Sequence, residues 1–334
     1  MALNNTKVIL KETPVGMPTA DQFEAVPADL PAIGEGEVLV KNLWLSLDPY
    51  MRSQISARHI SGAVLPGDTM KGETIAEVVE SNSADFKAGD KVRCFGGWQA
   101  YAALPAAALT KVPDNVEHSP YLLSILGMPG LTAYAGLIWQ AQPKAGDTVV
   151  VAAATGAVGS MVVQLAKQHG CRVVAIAGGQ HKCDFAVNEL GADVCIDRHK
   201  EDLATALDTH CPDGINIYFD LIGGDILELC SQRLAVGARM ILCGLAADYN
   251  RTTSTPPPGP SPVYIIKSRA TVFGLVVYDF EPRRAEFIEA CASLVGEGKI
   301  KIREQVVEGL ANAGQGFVDL LSGDNFGKVL VKIA

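Results

Sequence analysis

The fold of this chain is decided by the stretch Asp147-Thr-Val-Val-Val-Ala-Ala-Ala-Thr-Gly-Ala-Val-Gly159. The run from Thr148 to Ala152 is continuous, apolar and rich in valine, which is typical of a strand buried on both faces. From Ser160 onward, apolar residues recur at helical spacing. The stretch therefore predicts a strand, a turn that contains glycine and a helix, in direct succession.

The turn matches the dinucleotide fingerprint G-x-G-x-x-G, with Ala154 at the first glycine position. Gly156 would let the backbone approach a pyrophosphate, and Gly159 would let the helix pack closely on the strand. The helix N-terminus offers unpaired N–H groups and a partial positive charge. We therefore predict that Gly156, Ala157, Val158 and Gly159 hold a pyrophosphate. The alternative is a glycine turn without a ligand, as in other α/β proteins.

The end of the next predicted strand, Cys171–Ala177, indicates which dinucleotide fits. NAD sites usually place Asp or Glu there, where it binds the ribose 2′-hydroxyl. Here the chain continues Gly178-Gly-Gln-His-Lys182, without an acid, and Arg198 follows the strand after that. Lys182 and Arg198 could bind a 2′-phosphate, which favours NADP(H) over NAD(H). Alternatively, both cations are solvated surface residues.

Composition limits the class of protein. The chain has 334 residues, enough for two domains, and a net charge of −9, which argues against general nucleic-acid binding. We find no apolar stretch of membrane-spanning length and no signal-peptide region, so we expect a cytoplasmic protein with no membrane partner. The eight cysteines show no zinc-ligand spacing. In a reducing cytosol they are expected to be small buried hydrophobes.

The order of predicted elements divides this α/β chain into two domains. Residues 1–125 are β-rich, with short strands separated by proline and glycine. From residue 126, strands and helices alternate, which specifies a doubly wound parallel sheet of the Rossmann type through residue 300. The segment 301–334 ends in the strand-like run Lys328–Ile333, which we expect to rejoin the first domain. The elements predicted in the second domain are strands 148–152, 171–177, 193–196, 215–220 and 238–243 and helices 159–169, 181–190, 201–209 and 224–234.

Two later segments leave alternatives open. The proline-rich loop Thr255–Pro262 excludes helix and central strand, and it could be a semi-rigid lid near the ligand or a linker. Thr271–Val277 predicts a late strand, followed by a helix over Arg284–Val295. If that strand lies at the edge of the sheet, it could pair between two subunits.

Four further phrases are more specific than the glycines: Leu45-Ser-Leu-Asp-Pro-Tyr-Met-Arg52, Gly127-Met-Pro-Gly-Leu-Thr-Ala-Tyr134, Cys243-Gly-Leu-Ala-Ala-Asp-Tyr-Asn250 and Gly323-Asp-Asn-Phe-Gly-Lys328. In these phrases the chain resembles the medium-chain dehydrogenase/reductase superfamily, in the zinc-free branch of prostaglandin/leukotriene, plant alkenal and bacterial curcumin reductases. The resemblance implies a GroES-like catalytic domain beside the Rossmann domain and a homodimer. It also implies NADPH-dependent reduction of a C=C bond conjugated to a carbonyl group, in a small-molecule enal or enone.

The phrase Met70-Lys-Gly-Glu73 bears on metal binding. Zinc alcohol dehydrogenases of the same superfamily carry Gly-His-Glu there, and this chain has Lys71 or Gly72 in place of the histidine. The cysteine-rich lobe that holds a structural zinc is also missing. We therefore predict no metal, so that the chemistry must proceed without a Lewis acid.

Enone reduction suits a metal-free site. Hydride attacks the β-carbon, charge moves to the carbonyl oxygen, and a proton reaches the α-carbon. By resemblance, Tyr249 corresponds to a tyrosine proposed as proton or hydrogen-bond donor, and Tyr50 to a position that contacts substrate. A phenol is a suitable donor because it is neutral at pH 7. Alternatively, Tyr50 anchors its loop and Tyr249 contacts only the cofactor.

Other cofactor contacts follow from the same resemblance. Cys243, Gly244 and Tyr249 would line the cofactor at a strand end, where open α/β sheets bind ligands. The backbone of Leu275, Val276 and Val277 would meet the nicotinamide amide, and Asn325 would contact the cofactor unless it is only a turn residue. Leu221 departs from the pattern, because many relatives carry a cofactor-binding asparagine at that position.

Two other functions remain open at the level of sequence. A zinc-free NADPH quinone reductase would share the fold and the cofactor, since a quinone accepts hydride without a metal. A protein that binds NADPH without catalysis is a hypothesis from another class, because a fold does not establish a function. The retained tyrosines, Tyr50 and Tyr249, argue against the second of these.

Overall fold

A computed structural model of the chain describes residues 4–113, 116–253, 255 and 257–334. The chain forms two compact units. The first unit contains Met1–Ser124 and Glu304–Ala334, and the second contains Ile125–Arg303.

Strands and helices are numbered in chain order. The strands are β1 (Asn5–Leu10), β2 (Phe23–Ala28), β3 (Glu37–Ser46), β4 (Thr74–Ser81), β5 (Lys91–Cys94), β6 (Tyr101–Pro105), β7 (Thr110–Lys111), β8 (Thr148–Val151), β9 (Arg172–Ala177), β10 (Val194–Asp197), β11 (Ile215–Asp220), β12 (Leu234–Leu242), β13 (Thr271–Gly274), β14 (Glu304–Glu308) and β15 (Lys328–Lys332). The helices are α1 (Met51–Gln54), α2 (Met128–Tyr134), α3 (Ala157–Gln168), α4 (Gln180–Asn188), α5 (Leu203–His210), α6 (Gly224–Ser231), α7 (Pro262–Ser268), α8 (Arg284–Gly296) and α9 (Ala313–Ser322).

The first unit is built on a mixed sheet. Its strand order is β14-β15-β3-β4-β5-β7, with β6 also paired to β3, while β1 and β2 form a separate antiparallel pair. The C-terminal strand β15 pairs antiparallel with β3, so that Val331 lies opposite Leu45. Trp98 and Phe317 meet edge to face in the core, with ring centroids 5.9 Å apart. This is the β-rich domain of GroES-like type that the sequence predicts.

An ion pair between Asp48 and Lys328 lies inside this unit. Lys328 Nζ is 2.5 Å from Asp48 Oδ1, and it also donates to the Leu47 carbonyl at 2.9 Å. The side chain of Asp48 is only 6% exposed and that of Lys328 only 1%. The Ser46 hydroxyl donates to the second carboxylate oxygen of Asp48. The pair therefore joins the first residue of β15 to the loop that follows β3.

The second unit contains a six-stranded sheet in the order β10-β9-β8-β11-β12-β13, in which every neighbouring pair is parallel. This is the strand order 3-2-1-4-5-6 of the Rossmann fold, so the predicted doubly wound sheet is confirmed. The strand order reverses between β8 and β11. A ligand is expected in the crevice at the carboxyl ends of these strands.

Some element boundaries differ from the prediction for local reasons. Helix α5 begins at Leu203 because Asp202 caps it, accepting from the Thr205 amide at 2.9 Å. Helix α6 ends at Ser231, whereas the sequence predicted a helix through residue 234. The helix ends earlier because β12 already begins at Leu234. Gly237, with a φ of +77°, interrupts the apolar pattern of β12. The sequence therefore predicted that this strand begins at residue 238, after the glycine.

The predicted strand over Thr271–Val277 is also shorter in the structure. Strand β13 ends at Gly274, and a 3₁₀ helix begins at Val277. Within the described ranges, none of the helices has the length and apolarity that a bilayer crossing requires.

Replacing Lys328 with methionine should destabilise the protein by about 3–5 kcal/mol, because the Asp48 carboxylate would remain buried without its cation. Denaturant unfolding followed by circular dichroism measures the change. Lys332→Met is the matched control: Lys332 is exposed on the same strand, so its loss should cost less than about 0.5 kcal/mol. Equal effects of the two variants would contradict a structural role for the buried pair.

Candidate active site

The residues predicted to bind cofactor in the second unit lie along one edge of its parallel sheet. This edge is formed by the carboxyl ends of six parallel strands, β8 to β13. The fingerprint glycines follow β8, Lys182 follows β9 and Arg198 follows β10. Cys243, Gly244 and Tyr249 follow β12, and the segment 275–277 follows β13. Positions far apart in sequence therefore share the edge at which a Rossmann sheet binds its ligand.

The turn after β8 has the geometry of a phosphate cradle. A Cβ atom added to Gly159 would lie 2.3 Å from the Ala153 carbonyl oxygen, so only glycine lets α3 pack this closely on the turn. Gly156 is the N-cap residue of α3, and no side chain caps this end of the helix. The first N–H groups of α3, at Ala157 and Val158, therefore suit an anionic group.

The turn also contains a strained residue. Ala153 adopts a φ of +48°, a left-handed conformation that costs an alanine about 1–2 kcal/mol. Strain of this kind collects at ligand-binding turns, where the surrounding structure holds it in place.

Arg198, one of the two cations predicted to bind a phosphate, lies beside the end of β9. The Arg198 amide donates to the Ala177 carbonyl at 3.0 Å, and Arg198 Nε would lie 3.2 Å from a Cβ on Gly178. Lys182 lies in the first turn of α4. Since residues 178–182 include no acid, nothing in this segment would repel a 2′-phosphate.

Two residues beside this position, Asp197 and His199, were not predicted from the sequence. Asp197 is buried, and its Oδ1 accepts from the amides of Gly179 at 2.8 Å and His199 at 3.1 Å. The hydrogen bond from Gly179, together with that from His199, holds the pKa of Asp197 below its ordinary value. The His199 ring would lie 2.8 Å from a Cβ on Gly178. Their only sequence signal is their position directly after the strand predicted at 193–196.

Asp220 connects the loops that follow β11 and β12. It is fully buried, and its Oδ1 accepts from the amides of Ile222 at 3.1 Å and Gly223 at 3.0 Å. Its backbone carbonyl accepts from the amides of Cys243 and Gly244, at 3.0 and 3.2 Å. Burial raises the pKa of the Asp220 carboxyl group. This single residue therefore positions the loop that carries the predicted cofactor residues after β12.

Cys243 and Gly244 begin the loop after β12. Burial raises the pKa of the Cys243 thiol to about 12, so this thiol is neutral at physiological pH. A Cβ on Gly244 would lie 2.8 Å from the Leu221 carbonyl oxygen, so glycine lets the two loops pass closely. At this approach the Leu221 carbonyl oxygen faces Gly244.

Tyr249 lies further along the same loop and is half-buried. Burial raises the pKa of its phenol, and the phenol oxygen also has a hydrogen bond with the Leu245 backbone. The phenol therefore keeps its proton at neutral pH, as a hydrogen-bond donor to an anionic oxygen must.

The segment after β13 continues the same edge. The Leu275 amide donates to the Leu242 carbonyl at 3.0 Å, which holds Leu275 beside the end of β12. Val276 is 39% exposed, and Val277 begins the 3₁₀ helix. The structure thus places Leu275, Val276 and Val277 at the sheet edge. Their contact with a cofactor stays a prediction.

Tyr50 belongs to the first unit, directly before α1. It is half-buried, and its ring stacks on His59 with centroids 4.8 Å apart and planes at 29°. Burial lowers the pKa of His59, which favours its neutral form. Two neighbours in the same phrase are structural: Asp48 pairs with Lys328, and the buried Arg52 donates to the Gly16 carbonyl at 2.7 Å.

Asn325 also belongs to the first unit, in the turn before β15. Its side-chain amide donates to the Gly327 carbonyl at 2.9 Å. This is the turn role that the sequence left open as an alternative, and the proposed cofactor contact of Asn325 stays a prediction.

The phrase compared with the zinc-ligand motif has a different structural use here. Glu73 is mostly buried and pairs with Arg93 at 2.9 Å, so its carboxylate already has a cation. Across the residues that the structure describes, no three His, Cys, Asp or Glu side chains come together as a metal-binding group. The absence of a metal from the working protein stays a prediction.

Two protein families match the chain. The family described as "N-terminal domain of oxidoreductase" matches residues 6–112, and the one described as "Zinc-binding dehydrogenase" matches residues 157–295. These ranges fall in the first and the second compact unit, respectively.

Curated proteins match over almost the full length. The chain is 42% identical to an NADPH-dependent curcumin reductase of Escherichia coli, over 99% of this chain and 97% of that protein. It is 40% identical to prostaglandin reductase 1 of Bos taurus, over 97% of each chain. It is 36% identical to an NADP⁺-dependent 2-alkenal reductase of Nicotiana tabacum, over 99% of this chain and 98% of that protein.

Solved structures agree with this similarity. CurA of Vibrio vulnificus, in complex with NADPH, has a TM-score of 0.93 and 41% identity, covering 98% of this chain and 99% of that one. A quinone oxidoreductase of Pseudomonas syringae pv. tomato covers 99% of this chain and 100% of that one, with a TM-score of 0.79. At 21% identity, the latter shows a shared fold only.

The two units and the sheet-edge site define a medium-chain dehydrogenase/reductase. Within that superfamily the chain belongs to the zinc-independent branch that includes the curcumin, prostaglandin and 2-alkenal reductases.

The two fingerprint glycines should differ in their effect on stability. Gly159→Ala should cost about 1–3 kcal/mol, because the added methyl group overlaps the Ala153 carbonyl. Gly156→Ala is the matched control. Its Cβ would lie 3.3 Å from the same oxygen, so a small shift accommodates it. Thermal unfolding without ligand measures both variants, and a Gly159→Ala protein as stable as Gly156→Ala would show that the helix does not need this approach.

Proposed function

We propose that this protein is an NADPH-dependent reductase of the C=C bond in α,β-unsaturated aldehydes and ketones. The observation that carries the proposal is the full-length similarity, at 36–42% identity, to three reductases whose names specify this type of activity or substrate. The geometry of the sheet edge supports it, because that edge combines an uncapped helix end, which suits a phosphate group, with cations after β9 and β10.

NADP(H) is the cofactor that this edge fits. Gly156, Ala157, Val158 and Gly159 would hold its pyrophosphate at the uncapped end of α3. Lys182 and Arg198 would bind the 2′-phosphate, with His199 as a third basic group beside Gly178. Leu275, Val276 and Val277 would hold the carboxamide through backbone groups, and Asn325 would contact the cofactor from its turn.

NADPH supplies the hydride when it is bound. The protein's own side chains would stabilise the negative charge that then develops on the carbonyl oxygen of the substrate. The Tyr249 phenol, kept protonated by burial, would donate a hydrogen bond to the carbonyl oxygen as negative charge develops there. Tyr50 would contact the substrate, with its ring orientation set by the stack on His59. Asp220 would act as a positioning residue, since it fixes the start of the loop that carries Tyr249.

We further propose the division of labour between the two predicted domains. Residues 1–125 with 301–334 would form the GroES-like catalytic domain, and residues 126–300 the NADP-binding domain. A cytoplasmic location is supported by eight cysteines that form no disulfide.

A homodimer formed through the edges of two Rossmann sheets is also part of the proposal. Strand β13 is the last strand in the sheet order, and its Val272 is 36% exposed. The preceding helix α7 exposes Val263 and Ile266, by 59% and 73%. An apolar edge of this kind is suited to pairing with a second copy. A monomeric mass in native mass spectrometry would contradict the dimer.

A substrate panel tests the proposed reaction. We expect NADPH oxidation with 2-nonenal and a medium-chain enone, with the saturated aldehyde or ketone as product. Turnover of a benzoquinone alone would establish the quinone-reductase alternative. NADPH binding without turnover of any acceptor would establish the non-catalytic alternative.

Removing the cations should change cofactor preference. Lys182→Ala and Arg198→Ala should each raise the KM for NADPH by about tenfold, as expected for a lost charge-assisted hydrogen bond to phosphate, and leave the KM for NADH nearly unchanged. Steady-state kinetics with both cofactors measures this. Lys200→Ala is the control, because Lys200 is an exposed cation in the same loop. Parallel changes for NADPH and NADH would contradict a 2′-phosphate role.

Removing the phenol should slow the chemistry. Tyr249→Phe should lower kcat by about 10²-fold, within the range for losing one donor to a developing oxyanion, with little change in the KM for NADPH. Tyr50→Phe should mainly raise the KM for the enone. A Tyr249→Phe enzyme with normal kcat and a raised KM for NADPH would instead make Tyr249 a cofactor contact.

A further inference from the structure

Two cysteine sulfur atoms lie in contact beside the proposed 2′-phosphate site. Cys183 is in α4 and Cys195 is in β10, and the Cys195 thiol donates to the Cys183 sulfur at an Sγ–Sγ distance of 2.8 Å. Both thiols are free. A disulfide requires about 2.05 Å between the sulfurs, so closure needs a movement of less than about 1 Å.

The two cysteines of the pair differ in exposure. Cys183 is 4% exposed, whereas Cys195 is only partly buried, so Cys195 is the residue of the pair that borders solvent. A zinc site does not account for the contact. In the described part of the chain, no third His, Cys, Asp or Glu joins the two sulfurs as a metal ligand.

The position of the pair links it to cofactor binding. Cys183 directly follows Lys182 in the first turns of α4. Cys195 lies two residues before Asp197, whose carboxylate holds the amides of Gly179 and His199. A bond between the sulfurs would therefore link α4, which carries Lys182, to β10, which Arg198 directly follows.

We propose that Cys183 and Cys195 form a redox pair, which a hydroperoxide converts to a disulfide, and that this bond weakens NADPH binding. The second half rests on the proposed function, whereas the first half does not. In reducing compartments, disulfides that do form are usually transient and redox-sensing, which agrees with two free thiols in contact.

The reaction balances with a hydroperoxide as the oxidant. Cys195 sulfur attacks the peroxide, the O–O bond breaks, and the departing alkoxide takes the thiol proton to give an alcohol and a sulfenic acid. Cys183 sulfur then attacks Cys195 sulfur, the S–O bond breaks, and the departing hydroxide takes the Cys183 proton to give water. Two thiols are oxidised and one hydroperoxide is reduced.

The surroundings of the pair set its response to pH. Burial raises the pKa of both thiols, and the nearby carboxylates of Asp197 and Glu201 act on both in the same direction, as Asp184 does on Cys183. The thiolate fraction is therefore small at neutral pH and grows with alkalinity. We expect oxidation to be slow at pH 7 and faster at pH 9.

The test treats the full-length protein with hydrogen peroxide and measures three quantities. Intact mass should fall by two hydrogen atoms, thiol titration after denaturation should show two fewer thiols, and peptide mapping should find the link between residues 183 and 195. The KM for NADPH should rise about fivefold, at the low end of typical coupling between sites, with a smaller change in kcat. Dithiothreitol should reverse all of these changes.

Three variants complete the experiment. Cys195→Ser and Cys183→Ala should each abolish the mass loss and the change in KM, whereas Cys211→Ala, which removes another buried cysteine of the second unit, should leave both intact. Oxidation without the 183–195 link would overturn the redox pair. A disulfide that forms while the KM for NADPH stays constant would overturn the coupling only. If the protein does not use NADPH at all, the proposed function fails while mass and mapping still decide the disulfide.

Discussion

The close contact of α3 with the turn after β8 is the constraint on which the proposed cofactor site depends. A Cβ at Gly159 would stand 2.3 Å from the Ala153 carbonyl, so the helix reaches its position only because no side chain is there. That position brings the uncapped helix end to the sheet edge at β8 and β11, the neighbouring strands between which the strand order reverses. An anionic cofactor bound there would meet the positive end of the helix dipole.

Buried carboxylates fix the positions of the loops at the ends of these strands. Asp197 joins the loops after β9 and β10, and Asp220 joins those after β11 and β12. In the first unit, Asp48 ties the loop before Tyr50 to Lys328. In the sequence, Asp197 directly precedes Arg198, and Asp48 lies two residues before Tyr50. These ionisable groups therefore position loops, and in the proposed reaction the chemical role falls to neutral phenols.

The sequence predicted the parallel sheet because an alternating strand and helix pattern allows few other arrangements. It also predicted that Cys243, Gly244 and Tyr249 would lie at a strand end, where open α/β sheets bind ligands. It did not predict the pairing of Asp48 with Lys328, because those residues are 280 positions apart and no local pattern connects them. The contacts of His199 with Gly178 and of Cys183 with Cys195 were not predicted either, because no local sequence pattern connects those residues. Strand β13 is shorter than predicted because the chain turns after Gly274, which apolar periodicity does not reveal.

Tracing the hydride is the most direct test of the proposed conjugate reduction. NADPH carrying deuterium at nicotinamide C4 is supplied with an enone, and the product is examined by nuclear magnetic resonance. Conjugate reduction predicts deuterium on the β-carbon, a solvent-derived proton on the α-carbon and an unchanged carbonyl group. Deuterium on the carbonyl carbon, with an allylic alcohol as product, would contradict it.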